Sequence, residues 1–389
     1  MSSIKFDTGS YNLNKNPNFN YQLNRIVMWG GGDLGEIMSV SQNITDSESW
    51  KRELITLGDK ARSEKRIKES IAYYRMSEFF RYDGDPDKVK YYKLSKDLFY
   101  DYHDNLFGPG KIERFEVPYE EITLPAMYKK AMGERKDTII LHGGNDSYFE
   151  ELLFPMLYLS ENGYDVYLFE GPGQGGVLRI KNVKFTHKWE RPVQAILDYF
   201  SLNNVTIVGI SLGGMLAPRA AAFEKRIKRV VAWSVFSNFS DILVSQAVQS
   251  KVAQYSFRLL LKLRMRLIVN LIFKIKLKVG NELVKWGLSH GMYAYDAVSP
   301  YDYIKKMNSF QIKEIAKLIE QDMLIIGANK DHFIDYHLVN EEIDSLVNVK
   351  SLTFKLFTEH QKAEGHCNVG NSKLILDTIM TWIQSIINT

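Results

Sequence analysis

The chain has 389 residues, 45% of them hydrophobic and 13% aromatic, and a formal net charge of +4. This gives a well-packed globular protein with room for one large domain and an appended one, and it excludes a disordered chain. The first residues lack a basic segment followed by an apolar stretch, no uncharged apolar run is long enough to cross a bilayer, and Cys367 is the single cysteine; a cytoplasmic protein with no membrane span, internal disulfide or cysteine-based zinc site is expected.

Residues 1–45 are rich in Asn, Ser and Gly, with a cluster at Gly30-Gly31-Gly32, and read as an irregular arm without assigned chemistry. From 46 to 107 the pattern turns helical. Ser47 precedes Trp50 and Leu54, Ile71, Tyr74 and Glu78 recur at helical spacing, and Asp85-Pro86 is a cap followed by a first-turn proline. Three antiparallel helices are predicted, and with no repeat at a fixed period they read as a cap rather than a tetratricopeptide unit. Residues 112–117 and 121–128 predict two antiparallel strands split by Pro118. Strands recur near 138–142, 164–169, 204–209, 229–234, 322–327 and 352–357, mostly separated by helical stretches. That alternation predicts an α/β fold: a mostly parallel sheet with helices on both faces. From Val235 to about Asn308 there is no core strand, which reads as an inserted helical lid. The chain therefore divides into a cap region (1–110), a core in two parts (111–234 and 311–389) and the lid (235–310).

Three glycine-containing turns follow strands. His142-Gly143-Gly144-Asn145-Asp146-Ser147 brings backbone N–H groups where a developing oxyanion needs them; Gly144, or as second choice Asn145, is the donor on this side, and His142 buttresses the loop. Glu170-Gly171-Pro172-Gly173-Gln174-Gly175-Gly176 lacks the Lys-Ser/Thr of a phosphate loop and the spacing of a dinucleotide fingerprint, so it reads as a tight turn beside the site. Gly209-Ile210-Ser211-Leu212-Gly213, between the β-branched run 204–208 and an alanine-rich helix, reads as a nucleophile elbow. Ser211 is its nucleophile, Leu212 N–H the second oxyanion donor, and Pro218 is expected to bend the helix that follows. A serine hydroxyl needs a base, and the base needs an orienting acid. Asp331, just past the strand near 322–327, supplies the acid; His366, in the polar loop 363–367, is the base, with His360 its nearest rival.

These segments, with Gly214, resemble the FrsA-like branch of the α/β-hydrolases, from about residue 46 to the C-terminus. The resemblance implies Ser211 as nucleophile, Asp331 as acid and His366 as base, with no cofactor or metal. It implies cleavage of an ester, thioester or β-diketone-type C–C bond in an aromatic or polyketide-like small molecule. Phe239-Ser240-Asp241 falls where such enzymes begin their lid, so Asp241 is a candidate substrate contact, with a helix cap as its plainer role; Tyr148 is a second candidate contact. The rival readings are a prolyl-oligopeptidase-like peptidase, for which no blade repeats are visible, an acyltransferase, and a non-catalytic interaction protein.

Residues 251–280 hold eight Lys and Arg and no Asp or Glu, so the remainder of the chain sums to −4. Arg258, Lys262 and Arg266 recur at i, i+4, i+8, which predicts a helix burying an apolar side and wetting a cationic one. An acidic carrier protein or an anionic surface are its candidate partners; nucleic acid is not, and a homodimer is a candidate assembly.

Overall fold

The structure is a computed structural model that describes residues 4–248, 250–279 and 282–388. Residues 1–3 of the leading segment and Gly280 at the end of the basic segment lie outside the described residues.

The expected irregular arm holds two helices, α1 (Pro17–Met28) and α2 (Leu34–Ser41). Asn16 caps α1 through the N–H groups of Asn18 and Phe19, Pro17 takes its first position, and Phe19, Leu23 and Ile26 are fully buried. The three predicted helices follow as α3 (Ser47–Ser63), α4 (Ile67–Ser77) and α5 (Pro86–Tyr102). Asp46 and Ser49 form a capping box on α3, and Asp85 caps α5 ahead of Pro86. Apolar residues of α1, α3 and α4 share one cluster around Trp50, Tyr73 and Phe80, distinct from the clusters on the sheet.

The antiparallel hairpin β1 (Ile112–Tyr119) and β2 (Ile122–Lys129) opens the core. Pro118 does not split it: it lies within β1 opposite Thr123, on the outermost strand of the sheet, where a missing N–H need not break a ladder. Next come β3 (Asp137–His142), α6 (Leu153–Glu161), β4 (Tyr164–Phe169), α7 (Gly175–Arg179), α8 (Glu190–Tyr199), β5 (Val205–Ile210), α9 (Gly213–Phe223) and β6 (Ile227–Trp233). The interval without strands holds α10 (Phe239–Ala247), α11 (Lys251–Lys262), α12 (Arg266–Val279), α13 (Glu282–Ala294) and α14 (Pro300–Met307). The chain closes with β7 (Asp322–Ala328), α15 (Val339–Ser345), β8 (Ser351–Phe357) and α16 (Ser372–Ile387).

The 8-stranded sheet runs β1-β2-β4-β3-β5-β6-β7-β8 and is parallel from β4 to β8. Strands β3, β5 and β7 are buried at every position, because α8 and α9 cover one face and α6 and α16 the other. Pro218 sits inside α9 without ending it, at the loss of one helical hydrogen bond. The segment between β6 and β7 is pinned at its neck, where Phe239 N–H bonds Phe310 O (2.9 Å) and Ile312 N–H bonds Ser237 O (3.0 Å). Its Phe257, Val269 and Tyr303 join the core of α8 and α9. The single helix expected through Arg258, Lys262 and Arg266 is two helices, since the chain turns at 263–265 with Arg264 at φ +57°.

Candidate active site

Loops from several strands meet at the carboxyl ends of the parallel strands, where α/β sheets place their ligand sites. Ser211 stands there between β5 and α9 in a left-handed conformation, φ +62°, its N–H bonded to Trp233 O (3.0 Å). So sharp a turn requires its glycines: a Cβ on Gly209 would lie 2.1 Å from Gly213 O, and one on Gly214 2.4 Å from Ser234 O.

Ser211 Oγ is 2.9 Å from His366 Nε2, and His366 Nδ1 is 2.7 Å from Asp331 Oδ2. A carboxylate only accepts, so Nδ1 carries the imidazole proton and Nε2 is left to accept the serine's. Asp331 Oδ1 accepts the N–H groups of Phe333 (2.8 Å) and Ile334 (3.1 Å), which fixes the acid. Both side chains are almost wholly buried. Burial disfavours the imidazolium of His366, but the Asp331 carboxylate outweighs it and lifts the histidine well above its ordinary value. Burial likewise raises Asp331, and His366 pulls it below the usual carboxylate range. The histidine loop is tied down by Asn368, which accepts from Trp233 Nε1 (3.0 Å) and donates to Ala363 O (2.7 Å). The rival base His360 is exposed on the surface.

The loop after β3 lies against the elbow: a Cβ on Gly144 would be 2.6 Å from both Ile210 O and Leu212 N. The Gly144 N–H, the first-choice oxyanion donor, is however spent on Ser147 Oγ at 2.7 Å. Among the described residues no protein acceptor takes the N–H of Leu212 or of Asn145. Gln174, from the glycine turn after β4, holds this loop by donating to Gly143 O (2.9 Å) and Gly144 O (3.0 Å). His142 is a buttress, its Nδ1 2.9 Å from Gly143 O, and burial pushes it down to about 4, so it stays neutral.

Both candidate substrate contacts have protein partners. Tyr148 is buried in the cap, its hydroxyl bonded to Glu78 and its ring beside the guanidinium of Arg179, and it is a packing residue there. Asp241 lies in the first turn of α10, whose cap is Asn238, and its carboxylate is held 2.7 Å from Arg258 Nε on α11.

Other neighbours of the site went unassigned in the sequence. Tyr21 of α1 sets its ring edge-on to His366 at 5.4 Å, and Phe333 does so at 5.1 Å. Arg25 of α1 donates to Asp146 O (2.8 Å) and to Glu151. From the lid, Tyr295 donates to Asn145 Oδ1 (2.5 Å), and His290 sits between Asp83 (3.1 Å) and Asp146 (3.4 Å). The one legible hint was the Asn16-Pro17 pair, a helix start ahead of Tyr21 and Arg25.

Such an arrangement can pass a proton from Ser211 to His366 while Asp331 steadies the ring. Comparison with known proteins agrees with the fold. The chain is 27% identical over 344 residues to the hydrolase acrC of Aspergillus aculeatus, covering 77% of this chain and 78% of that one. It is 25% identical over 356 residues to the 20-hydroxy-prefusarin hydrolase FUS2 of Gibberella moniliformis, covering 80% and 81%. The crystal structure of the 2,6-dihydroxy-pseudo-oxynicotine hydrolase superposes with a TM-score of 0.65 over 92% of this chain and 94% of the other, at 16% identity. The family description "alpha/beta hydrolase fold" matches residues 139–367, more than half of the sequence. The chain belongs to the α/β-hydrolase family and is a hydrolytic enzyme.

Proposed function

We propose that the protein is a serine hydrolase that cleaves an aromatic or polyketide-like carbonyl compound, an ester, a thioester or a β-diketone, by way of Ser211, His366 and Asp331. The observation that carries this reading is the unbroken pair of contacts Ser211–His366 (2.9 Å) and His366–Asp331 (2.7 Å). Ser211 Oγ attacks the carbonyl carbon while His366 Nε2 takes its proton, and Asp331 stabilises the imidazolium. The N–H groups of Leu212 and Asn145 hold the oxyanion, with Gly144 beside them. His366 then returns the proton to the leaving oxygen, sulfur or carbon, and water, activated by the same histidine, releases the acyl group from Ser211. The core segments 111–234 and 311–389 carry this chemistry, under the cap (1–110) and the lid (235–310).

An aromatic or polyketide-like substrate is supported by the rings of Tyr21 and Phe333 against His366, by Tyr295 at Asn145, and by a relative named for the hydrolysis of 20-hydroxy-prefusarin. A fluorophosphonate probe tests the nucleophile: the native chain should be labelled, and Ser211→Ala should lose both labelling and turnover while keeping its melting temperature. Labelling that survives in Ser211→Ala would overturn the assignment.

A further inference from the structure

The hairpin α11–α12 departs from the expectation of an apolar side buried and a cationic side wet. Both helices do bury one side, α11 through Phe257 and α12 through Val269 and Phe273. Yet their outward faces are not purely polar. On α11, Val252, Tyr255 and Leu259, at i, i+3 and i+7, share one exposed face; Val252 is 77% and Tyr255 71% exposed. On α12, Leu267, Leu271 and Ile275, at i, i+4 and i+8, do the same, with Leu267 84% exposed. Lys251 and Lys262 flank the first row, Lys274 and Lys278 lie within the second, and all four are exposed.

We propose that this hairpin is a docking element for an anionic phospholipid surface, into which its aliphatic rows insert while its cations meet the headgroup phosphates. Four arguments select that partner. Exposed aliphatic rows of this size are costly in water and mark an interaction face. Cations interleaved with them suit a boundary that is apolar below and negative above, whereas an acidic protein surface would reward the cations and leave Leu267 and Val252 without a counterpart. A second copy of the chain is disfavoured, because a two-fold contact would set two faces, each from a segment with eight positive charges, against one another. The remaining net charge of −4 would turn the rest of the molecule away from a negative membrane. No helix among the described residues is long and apolar enough to cross a bilayer, so the contact is peripheral. The inference rests on the proposed reading only in treating the hairpin as part of the lid over Ser211; binding is a separate quantity from turnover.

The experiment is co-sedimentation of the full chain with vesicles of equal parts phosphatidylglycerol and phosphatidylcholine, or of phosphatidylcholine alone. The chain should sediment with the mixed vesicles, less so as salt rises to about 0.15 M, and hardly with phosphatidylcholine. The combined variant Lys262→Gln, Lys274→Gln, Lys278→Gln should weaken binding by about two orders of magnitude. The variant Val252→Ser, Leu267→Ser, Leu271→Ser should weaken it at least as much. Both variants should keep the native melting temperature and fluorophosphonate labelling, which separates failure of this inference from failure of the Ser211 assignment. Any of three results overturns the inference: absence of sedimentation; a loss in the lysine variant alone, the signature of electrostatic adsorption without insertion of the aliphatic rows; or a dimer of the native chain that the aliphatic variant converts to monomer while vesicle binding persists.

Discussion

The N-terminal helices and the hairpin α11–α12 are built on opposite principles. Where those helices meet the rest of the protein, charge is buried and paired. Arg25 and Arg75 converge on Glu151, Arg179 pairs with Glu78 (2.8 Å), and His290 of α13 reaches across to Asp83 and Asp146. The hairpin instead turns aliphatic side chains and cations outward together. Buried charges require fixed partners, which ties the N-terminal helices to the core; the exposed aliphatic rows of the hairpin mark an interaction face.

The largest effect belongs to the core against which both regions pack. Asp331→Asn keeps the shape but favours the wrong imidazole tautomer, so turnover should fall by about 10⁴-fold with the melting temperature little changed. Because Asp331 holds His366 up, activity of the native enzyme should fall as pH drops through that raised value, and the acid limb of the residual activity should move to lower pH in the variant. A pH–rate profile of both forms checks the sign.

Next comes the buried pair. Arg25→Ala removes the closer partner of Glu151 and leaves it to Arg75, and denaturant unfolding should show a loss of about 3 kcal/mol, together with impaired turnover through the Asp146 loop. A loss as small as that of a surface mutant would show that buried charge does not tie these helices to the core.

His290 should give a smaller, pH-dependent effect. Its side chain is enclosed, facing Asp83 and Asp146 with Lys88 nearby; burial opposes its charge, but the two carboxylates raise it above the ordinary histidine value. A folded value above the unfolded one means that its contribution is fully present below pH about 6.5 and is lost as pH rises through the raised native value. Stability measured across that window should decline in the native chain and lose this component in His290→Gln.

The smallest effect belongs to the hairpin. Leu267→Gln should change stability by no more than about 0.5 kcal/mol, because its side chain is already in water. A large loss would show that this face is covered in the folded protein and would erase the contrast with the N-terminal helices.

Local patterns were legible because they report local constraints. The glycines around Ser211 are demanded by the elbow itself, the runs of β3, β5 and β7 by burial on both faces, and the order Ser211, Asp331, His366 by the succession of strands. The arm was misjudged because its polar residues hid a helix whose apolar side only a partner surface defines, although Asn16-Pro17 announced the start. The hairpin was misjudged because spacing says which residues share a helix face and is silent on which faces meet water.

The sequence by itself determined the α/β alternation of the core and offered the residues proposed for acyl chemistry, since each follows from backbone geometry or from side-chain chemistry within a few positions. Only the tertiary structure decided that Tyr21 would flank His366, that Gln174 would hold the loop of Gly143 and Gly144, that Ser147 would take the Gly144 N–H, and that Leu267 would face outward. Most of these pairings join residues brought together by the sheet across long stretches of chain, and all are fixed by hydrogen bonding and packing in three dimensions, which no local pattern encodes.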